Sequence, residues 1–207
     1  MSLGITHILN RSKVDEDLRQ SLLEHPFFTA HPKTFELQRT YILNEPLTDY
    51  DRLIFEFLAQ ENYDHNNKIV EYWFQHCTAP TDILYPHCDY NYEYREKTKL
   101  AGPDWPHKVD KEMIVSPVTL IVYLYVSDDM DGGELGISTR TWMEEQFPTS
   151  SDVFTAIKYN HPYELITPKT GDILYFKGSE HYHWIEPITV GERKSLILNF
   201  WPKELLA

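Results

Sequence analysis

The sequence predicts a mainly β protein, an antiparallel sandwich or barrel with helices packed on it from the N-terminal side. Three observations carry that expectation. The first 60 or so residues show helical spacing and capping signals. From about residue 66 the chain breaks into short runs rich in Val, Ile, Tyr, Phe and Trp, and turn signals such as "DGG", "PKTGD" and "TVGE" separate those runs. Many short strands of this kind fit a sandwich or barrel better than a parallel α/β sheet.

Size and charge narrow the possibilities further. A chain of 207 residues that is 42% hydrophobic and 14% aromatic can close one sizeable core, so the expectation is a single domain over 1–207. Within it, residues 1–65 read as helical support and 66–207 as the β core. A formal charge of −13 argues against nucleic acid, whose non-specific affinity comes from Lys and Arg neutralising phosphates. The N-terminal residues lack the apolar core of a signal peptide, and no run approaches the roughly 18 apolar residues of a membrane span, so a cytoplasmic protein with no membrane partner is expected. Cys77 and Cys88 are too few for a disulfide scaffold and lack zinc spacing, which leaves free thiols.

The elements follow in order. "SKVDEDLRQSLLEHPFF" offers Ser12 as a cap, acids in the first turn, and Leu18, Leu22 and Leu23 near helical spacing; "TDYDRLIFEFLAQEN" repeats the logic with Thr48 and Asp51. Both helices are expected to cover a sheet. The strands are "KIVEYWFQH", "VTLIVYLYV", "GELGIST", "YELIT", "DILYFKG" and "KSLILNFW". "VTLIVYLYV" is apolar on both faces, as befits a strand buried in mid-sheet. "SDDMD" lacks the spaced oxygen ligands of a calcium loop and reads as a solvated turn. Residues 90–113 are polar and interrupted by Gly102, Pro103 and Pro106, yet carry Tyr90, Tyr92, Tyr94 and Trp105; they read as a loop that covers substrate.

The stretch "YPHCDYN" holds the chemistry of most interest. His87 and Asp89 are two apart on an extended segment, so both point one way while Cys88 points the other. With ten histidines in the chain a His-x-acid triplet arises by chance about once, and the pair alone decides nothing. A third ligand must come from a distant strand. After "DILYF" the chain supplies His181 and His183 just before a turn and Arg193 just after it.

Taken together, these residues resemble the Fe(II)- and 2-oxoglutarate-dependent oxygenases, and within them the prolyl 4-hydroxylase-like branch. Tyr85, Pro86, His87 and Asp89 are similar to the family's Y-x-P-H-x-D pattern. His183, Pro187, Gly191 and Arg193 resemble its later run of His, Pro, Gly and a basic residue, and "YVSDDMDGGEL" resembles the intervening strand and glycine turn. The resemblance spans roughly residues 66 to 202. It implies a double-stranded β-helix core of the jelly-roll, cupin-like kind with the N-terminal helices packed on it. It also implies that His87, Asp89 and His183 are the catalytic metal ligands, and that Arg193 binds the far carboxylate of 2-oxoglutarate, helped by Ser195 on the same strand face and by Tyr123 on the central strand. His181 is the competing ligand, but it stands two residues too far from Arg193 for the family pattern. The sequence departs from the pattern in the extra residues of "CTAPTDIL" and in Tyr125, where some relatives carry Asn.

Two imidazoles and a carboxylate on one face of an octahedral ion leave three positions open, as non-haem Fe(II) oxygenases require for a bidentate 2-oxo acid and for O2. The resemblance implies that 2-oxoglutarate supplies two of the four electrons that O2 needs, releasing succinate and CO2, while a C–H bond of a prolyl or other amino-acid carbon is hydroxylated. Ascorbate belongs to the same implication as an accessory reductant. The planar fork of Arg193 suits a carboxylate. A peptide or a small molecule fits as substrate, and the oligomeric state is open. The alternative is a cupin-like metal- or small-molecule-binding protein without oxygenase activity, which has no need of the basic residue at 193.

Overall fold

In the computed structural model, residues 9–30, 38–42, 48–60, 68–82, 84–89, 118–141 and 162–202 are described. The substrate-covering loop expected at 90–113 lies outside them. The elements are β1 (Leu9–Lys13), α1 (Glu16–Leu23), α2 (Pro26–Ala30), β2 (Gln38–Ile42), α3 (Asp49–Gln60), β3 (Lys68–Thr78), β4 (Leu84–His87), β5 (Val118–Val126), β6 (Asp131–Gly132), β7 (Leu135–Thr141), β8 (Tyr163–Ile166), β9 (Asp172–Phe176), β10 (His181–Ile185), β11 (Ile188–Val190) and β12 (Glu192–Pro202). A major sheet runs β1-β9-β5-β12-β3-β2, a minor sheet runs β4-β10-β7-β8, and β11 pairs with β6. All the pairings are antiparallel. This is the expected jelly-roll arrangement.

The N-terminal region is less helical than its spacing predicts, because β1 and β2 join the two edges of the major sheet. Ser12 is no cap; it sits in β1 opposite Ile173. The cap of α1 is Asp15, whose carboxylate accepts from the backbone N–H of Asp17 and Leu18 at 3.1 Å each. At α3 the sequence signal is realised: Thr48 Oγ1 accepts from Asp51 N–H at 3.1 Å, and Asp51 Oδ2 accepts from Thr48 N–H at 2.8 Å, a reciprocal box between residues three apart. Tyr72 donates its hydroxyl to the other Asp51 oxygen at 2.9 Å, which ties the start of α3 to the sheet.

Strand alternation divides the major sheet into two faces. Val70, Tyr72 and Phe74 of β3, Leu120, Val122 and Leu124 of β5, and Leu196, Leu198 and Phe200 of β12 pack against Leu18 and Leu22 of α1, Phe27 and Phe28 of α2, and Ile54, Phe57 and Leu58 of α3. Leu22, Ile54, Phe57 and Leu58 are fully buried, each worth about 1.5–3 kcal/mol relative to exposure. On the opposite face Trp73, Ile121, Tyr123, Leu174, Phe176 and Ile197 meet Leu135, Ile137 and Ile166 of the minor sheet. In β5 the register against β12 slips between Tyr123 and Tyr125, so Leu124 and Tyr125 together oppose the Lys194 end of β12. Tyr125 emerges exposed, against the Lys194 ammonium 5.6 Å from its ring. "SDDMD" is the expected turn, closed by Met130 N–H to the Ser127 carbonyl at 3.1 Å. No helix among the described residues is long and apolar enough to cross a membrane.

Between α1 and α2, His25 stacks on Phe74 with ring centroids 4.1 Å apart and meets Tyr50 at 4.2 Å, while its Nδ1 accepts from Phe27 N–H at 3.1 Å. Burial holds its pKa down to about 4, from an ordinary value of 6.5. Between those values the unfolded chain binds a proton that the folded chain refuses, so stability falls as the pH drops through that window and is unaffected by His25 above it. His25→Phe keeps the aromatic stack and should shrink the difference in urea midpoint between pH 7 and about pH 4.5; an unchanged difference would remove His25 from the acid response.

Candidate active site

The minor sheet brings the first cluster together. β4 and β10 pair antiparallel with His87 opposite His183, and the chain leaves β4 toward Asp89 on the same side. Asp89 is fixed there by its backbone N–H, which donates to the Gly178 carbonyl at 2.9 Å. His87 Nε2 lies 3.9 Å from Asp89 Oδ1, and His183 Nε2 lies 3.6 Å from Asp89 Oδ2. One ligand atom from each of these side chains falls within 4.8 Å of the others, a spacing suited to a common ion. The His183 Nδ1 meets the His181 carbonyl at 3.1 Å, which assigns a proton to Nδ1 and leaves Nε2 facing Asp89. Between His181 and His183 the register against β7 shifts, and His181 instead places Nδ1 3.1 Å from the Ser138 carbonyl. The His183 side chain is buried and Asp89 nearly so, whereas His87 is 37% exposed, so the cluster opens to solvent on the His87 side.

Charge explains why these groups tolerate burial. Burial pushes the Asp89 carboxyl up, but the imidazoles of His183 and His87 and the Thr119 hydroxyl pull the other way and hold it well below the usual carboxylate range. His183 is driven down by burial and up by Asp89, and Asp89 prevails. Cys88, on the opposite side of the chain, is buried, and burial raises its thiol well above the ordinary value, which keeps it protonated.

The second cluster sits on the interior face of the major sheet. Antiparallel register arranges that face in ladders: Glu71, Asn199, Thr119 and Phe176; then Trp73, Ile197, Ile121 and Leu174; then Gln75, Ser195 and Tyr123, with Arg193 opposite Cys77 beyond. The first ladder is polar where it meets Asp89, the second is apolar, and the third is polar again. Arg193 is 1% exposed and its guanidinium carbon stands 5.7 Å from the Tyr123 ring centre. Its Nη1 donates to the Gly133 carbonyl at 2.9 Å and its Nη2 to Gln75 Oε1 at 3.0 Å, with Cys77 Sγ at 3.8 Å.

Three buried polar atoms of this cluster have no hydrogen-bond partner among the described residues: Arg193 Nε, Ser195 Oγ and Tyr123 Oη. Burial raises the Tyr123 pKa against the pull of Arg193 and Arg11, so its hydroxyl remains a donor. Such orphans are costly, at about 1–3 kcal/mol each, and an acceptor that brings its own charge would satisfy them. A carboxylate, with lone pairs on two oxygens, fits that description. The guanidinium fork expected from the sequence is already engaged at both Nη atoms, which leaves Nε as its atom with no hydrogen-bond partner among the described residues. The sequence reading missed Gln75, Gly133, Thr119, Asn199 and Gly178; only the polar intrusions of Gln75, Thr119 and Asn199 into apolar strands signalled them.

The fold and both clusters define a jelly-roll protein with a His, Asp, His cluster spaced to hold a metal ion and an inward-facing buried arginine. The chain belongs to the 2OG-Fe(II) oxygenase superfamily, whose family model matches residues 72–201, and it is therefore an oxidoreductase of a family that uses Fe(II), 2-oxoglutarate and O2. Among solved structures it is similar to a prolyl-4-hydroxylase from Pseudomonas putida at 15% identity and a TM-score of 0.56, covering 95% of this chain and 87% of that one. It is also similar to HygX from Streptomyces hygroscopicus: the apo form at 12% identity and a TM-score of 0.58, covering 94% and 81%, and the form with nickel and 2-oxoglutarate bound at 13% and 0.53, covering 94% and 82%. No curated protein matches significantly by sequence.

Gly178 is the tightest point of the site. A Cβ there would lie 2.1 Å from Thr119 Oγ1 and 2.2 Å from Asp89 Oδ2. Gly178→Ala should therefore lose about 1–3 kcal/mol in urea unfolding, the usual range for overpacking. Wild-type stability in that variant would show that the turn yields without moving Asp89.

Proposed function

We propose that the protein is a non-haem Fe(II)- and 2-oxoglutarate-dependent dioxygenase that hydroxylates a C–H bond, with His87, Asp89 and His183 holding the metal and Arg193, Ser195 and Tyr123 receiving the far carboxylate of 2-oxoglutarate. The observation that carries this reading is the set of three buried donors on the interior face of the major sheet, one apolar ladder beyond the Thr119 that contacts Asp89 of the His, Asp, His cluster. A barrel that only stores a metal has no use for them. The substrate class, a prolyl or other amino-acid carbon in a peptide or small molecule, rests on the likeness to a prolyl-4-hydroxylase.

The residues divide the work as follows. When bound, the iron and its cosubstrate supply the oxidising chemistry, with succinate and CO2 released and ascorbate available as accessory reductant. His183 and His87 offer neutral imidazole nitrogens, and Asp89 adds one negative charge that favours a divalent ion. Tyr123, Ser195 and Arg193 Nε receive a carboxylate in a site closed to water, where a charge-assisted bond counts for more than in solvent. Trp73, Ile197, Ile121 and Leu174 form the apolar wall between the two polar ends, matched to the methylene carbons of a five-carbon diacid. The exposed edge of His87 leaves the metal end open to the primary substrate.

Two sets of variants test the assignment. His183→Ala should lose Fe(II) binding and 2-oxoglutarate-dependent succinate formation, whereas His181→Ala should retain Fe(II) binding; the reverse pattern would exchange the ligand assignment. Arg193→Ala should weaken 2-oxoglutarate by about 2–5 kcal/mol, some 30- to 5,000-fold, with Fe(II) affinity nearly unchanged in calorimetry. Unchanged 2-oxoglutarate affinity would remove Arg193 from the cosubstrate site.

A further inference from the structure

Asp89 carries one contact that metal binding does not explain. Thr119 Oγ1 lies 2.6 Å from Asp89 Oδ2 and 2.8 Å from the side-chain amide of Asn199 at Oδ1. A hydroxyl has one proton, and an ionised carboxylate only accepts, so the Thr119 proton goes to Asp89. The two ends of an amide have the same shape, and the hydrogen-bond pattern assigns the Asn199 NH2 toward Thr119. The result is a directed relay, Asn199 N–H to Thr119 oxygen and Thr119 O–H to Asp89 Oδ2. Both Thr119 and Asn199 are 2% exposed, and they face each other across β5 and β12. Gly178 packs over the bond, as the short distances from a Cβ there show.

We propose that Thr119, oriented by Asn199, is a positioning residue that reserves Asp89 Oδ2 and so makes Asp89 offer a metal ion Oδ1 alone. The inference rests on the metal-site reading above and extends it to the number of positions left free. Carboxylates bind metals through one oxygen or through both. Chelation by Asp89 would take one of the three open positions that a facial His, Asp, His set provides, when a bidentate 2-oxo acid needs two and O2 the third. A bond from a hydroxyl to a carboxylate is charge-assisted and short, about twice as strong as a neutral one, and chelation would have to break it. The relay thus guards coordination number without touching the ion or the cosubstrate.

The test uses Co(II) as the probe, because its visible ligand-field absorption reports coordination number with no turnover. Thr119→Val removes the proton donor and keeps the shape. Co(II) affinity should stay within about threefold of wild type or tighten, the Co(II) spectrum before cosubstrate should change, and 2-oxoglutarate should bind the Co(II) protein about tenfold more weakly, the scale of one hydrogen bond to a charge. Thr119→Ser should restore both. If Thr119→Val folds poorly, Asn199→Leu leaves the Thr119 hydroxyl in place but unsteered and should shift the same two readouts part of the way. A wild-type spectrum and wild-type 2-oxoglutarate affinity in Thr119→Val would overturn the relay and leave the metal site standing, as would equal losses of Co(II) and 2-oxoglutarate. Wild-type protein that binds no Co(II) would overturn both.

Discussion

The register of β12 between β3 and β5 is the constraint on which the rest depends. In that register Leu196, Leu198 and Phe200 bury against the helices, which leaves Arg193, Ser195, Ile197 and Asn199 on the interior face. A slip of one residue would carry the apolar set inward and expose the guanidinium to the helices, so the hydrophobic pattern of one face enforces the chemistry of the other. The central strand obeys the same rule: Leu120, Val122 and Leu124 anchor it outward, and Thr119 and Tyr123 are delivered inward at the two polar ends. Packing energy of several kcal/mol per strand is what holds the orphaned donors of Arg193, Ser195 and Tyr123 in a dry place.

Much of this was legible in the sequence because it rests on local rules. The spacing of His87 and Asp89 on an extended segment and the pairing of Thr48 with Asp51 at a helix start are short-range patterns, and the structure realises the geometry of both. The jelly-roll expectation came from the family resemblance, with strand texture and turn signals supporting a sandwich or barrel. The expectation of Ser12 as cap failed for an equally physical reason. A polar residue near a helical pattern reads as a cap whether or not the preceding residues are claimed by a sheet edge, and β1 claims Ser12 through its pairing with β9.

What the sequence concealed is long-range. Thr119 meets Asp89 across 30 positions and Asn199 across 80, and Gly178 contributes only by lacking a Cβ. None has a local signature, since Thr and Asn in a strand are unremarkable and a glycine before a turn is expected. The engagement of Arg193 by the Gly133 carbonyl and Gln75 was hidden for the same reason. A motif names the groups that touch a ligand; the groups that aim them are supplied by whichever strands the topology makes neighbours.

The proposed function places a metal at the His87, Asp89 and His183 cluster beside the minor sheet and the far carboxylate of one cosubstrate at Arg193, Ser195 and Tyr123 of the major sheet. Anaerobic addition of Fe(II) and then 2-oxoglutarate to the purified protein tests it most directly, since chelation of the 2-oxo acid to iron gives a weak visible charge-transfer band without any primary substrate. The account predicts that the band appears and saturates at one 2-oxoglutarate per protein. Tight Fe(II) binding with no band at any 2-oxoglutarate concentration would contradict it and leave a metal-binding barrel.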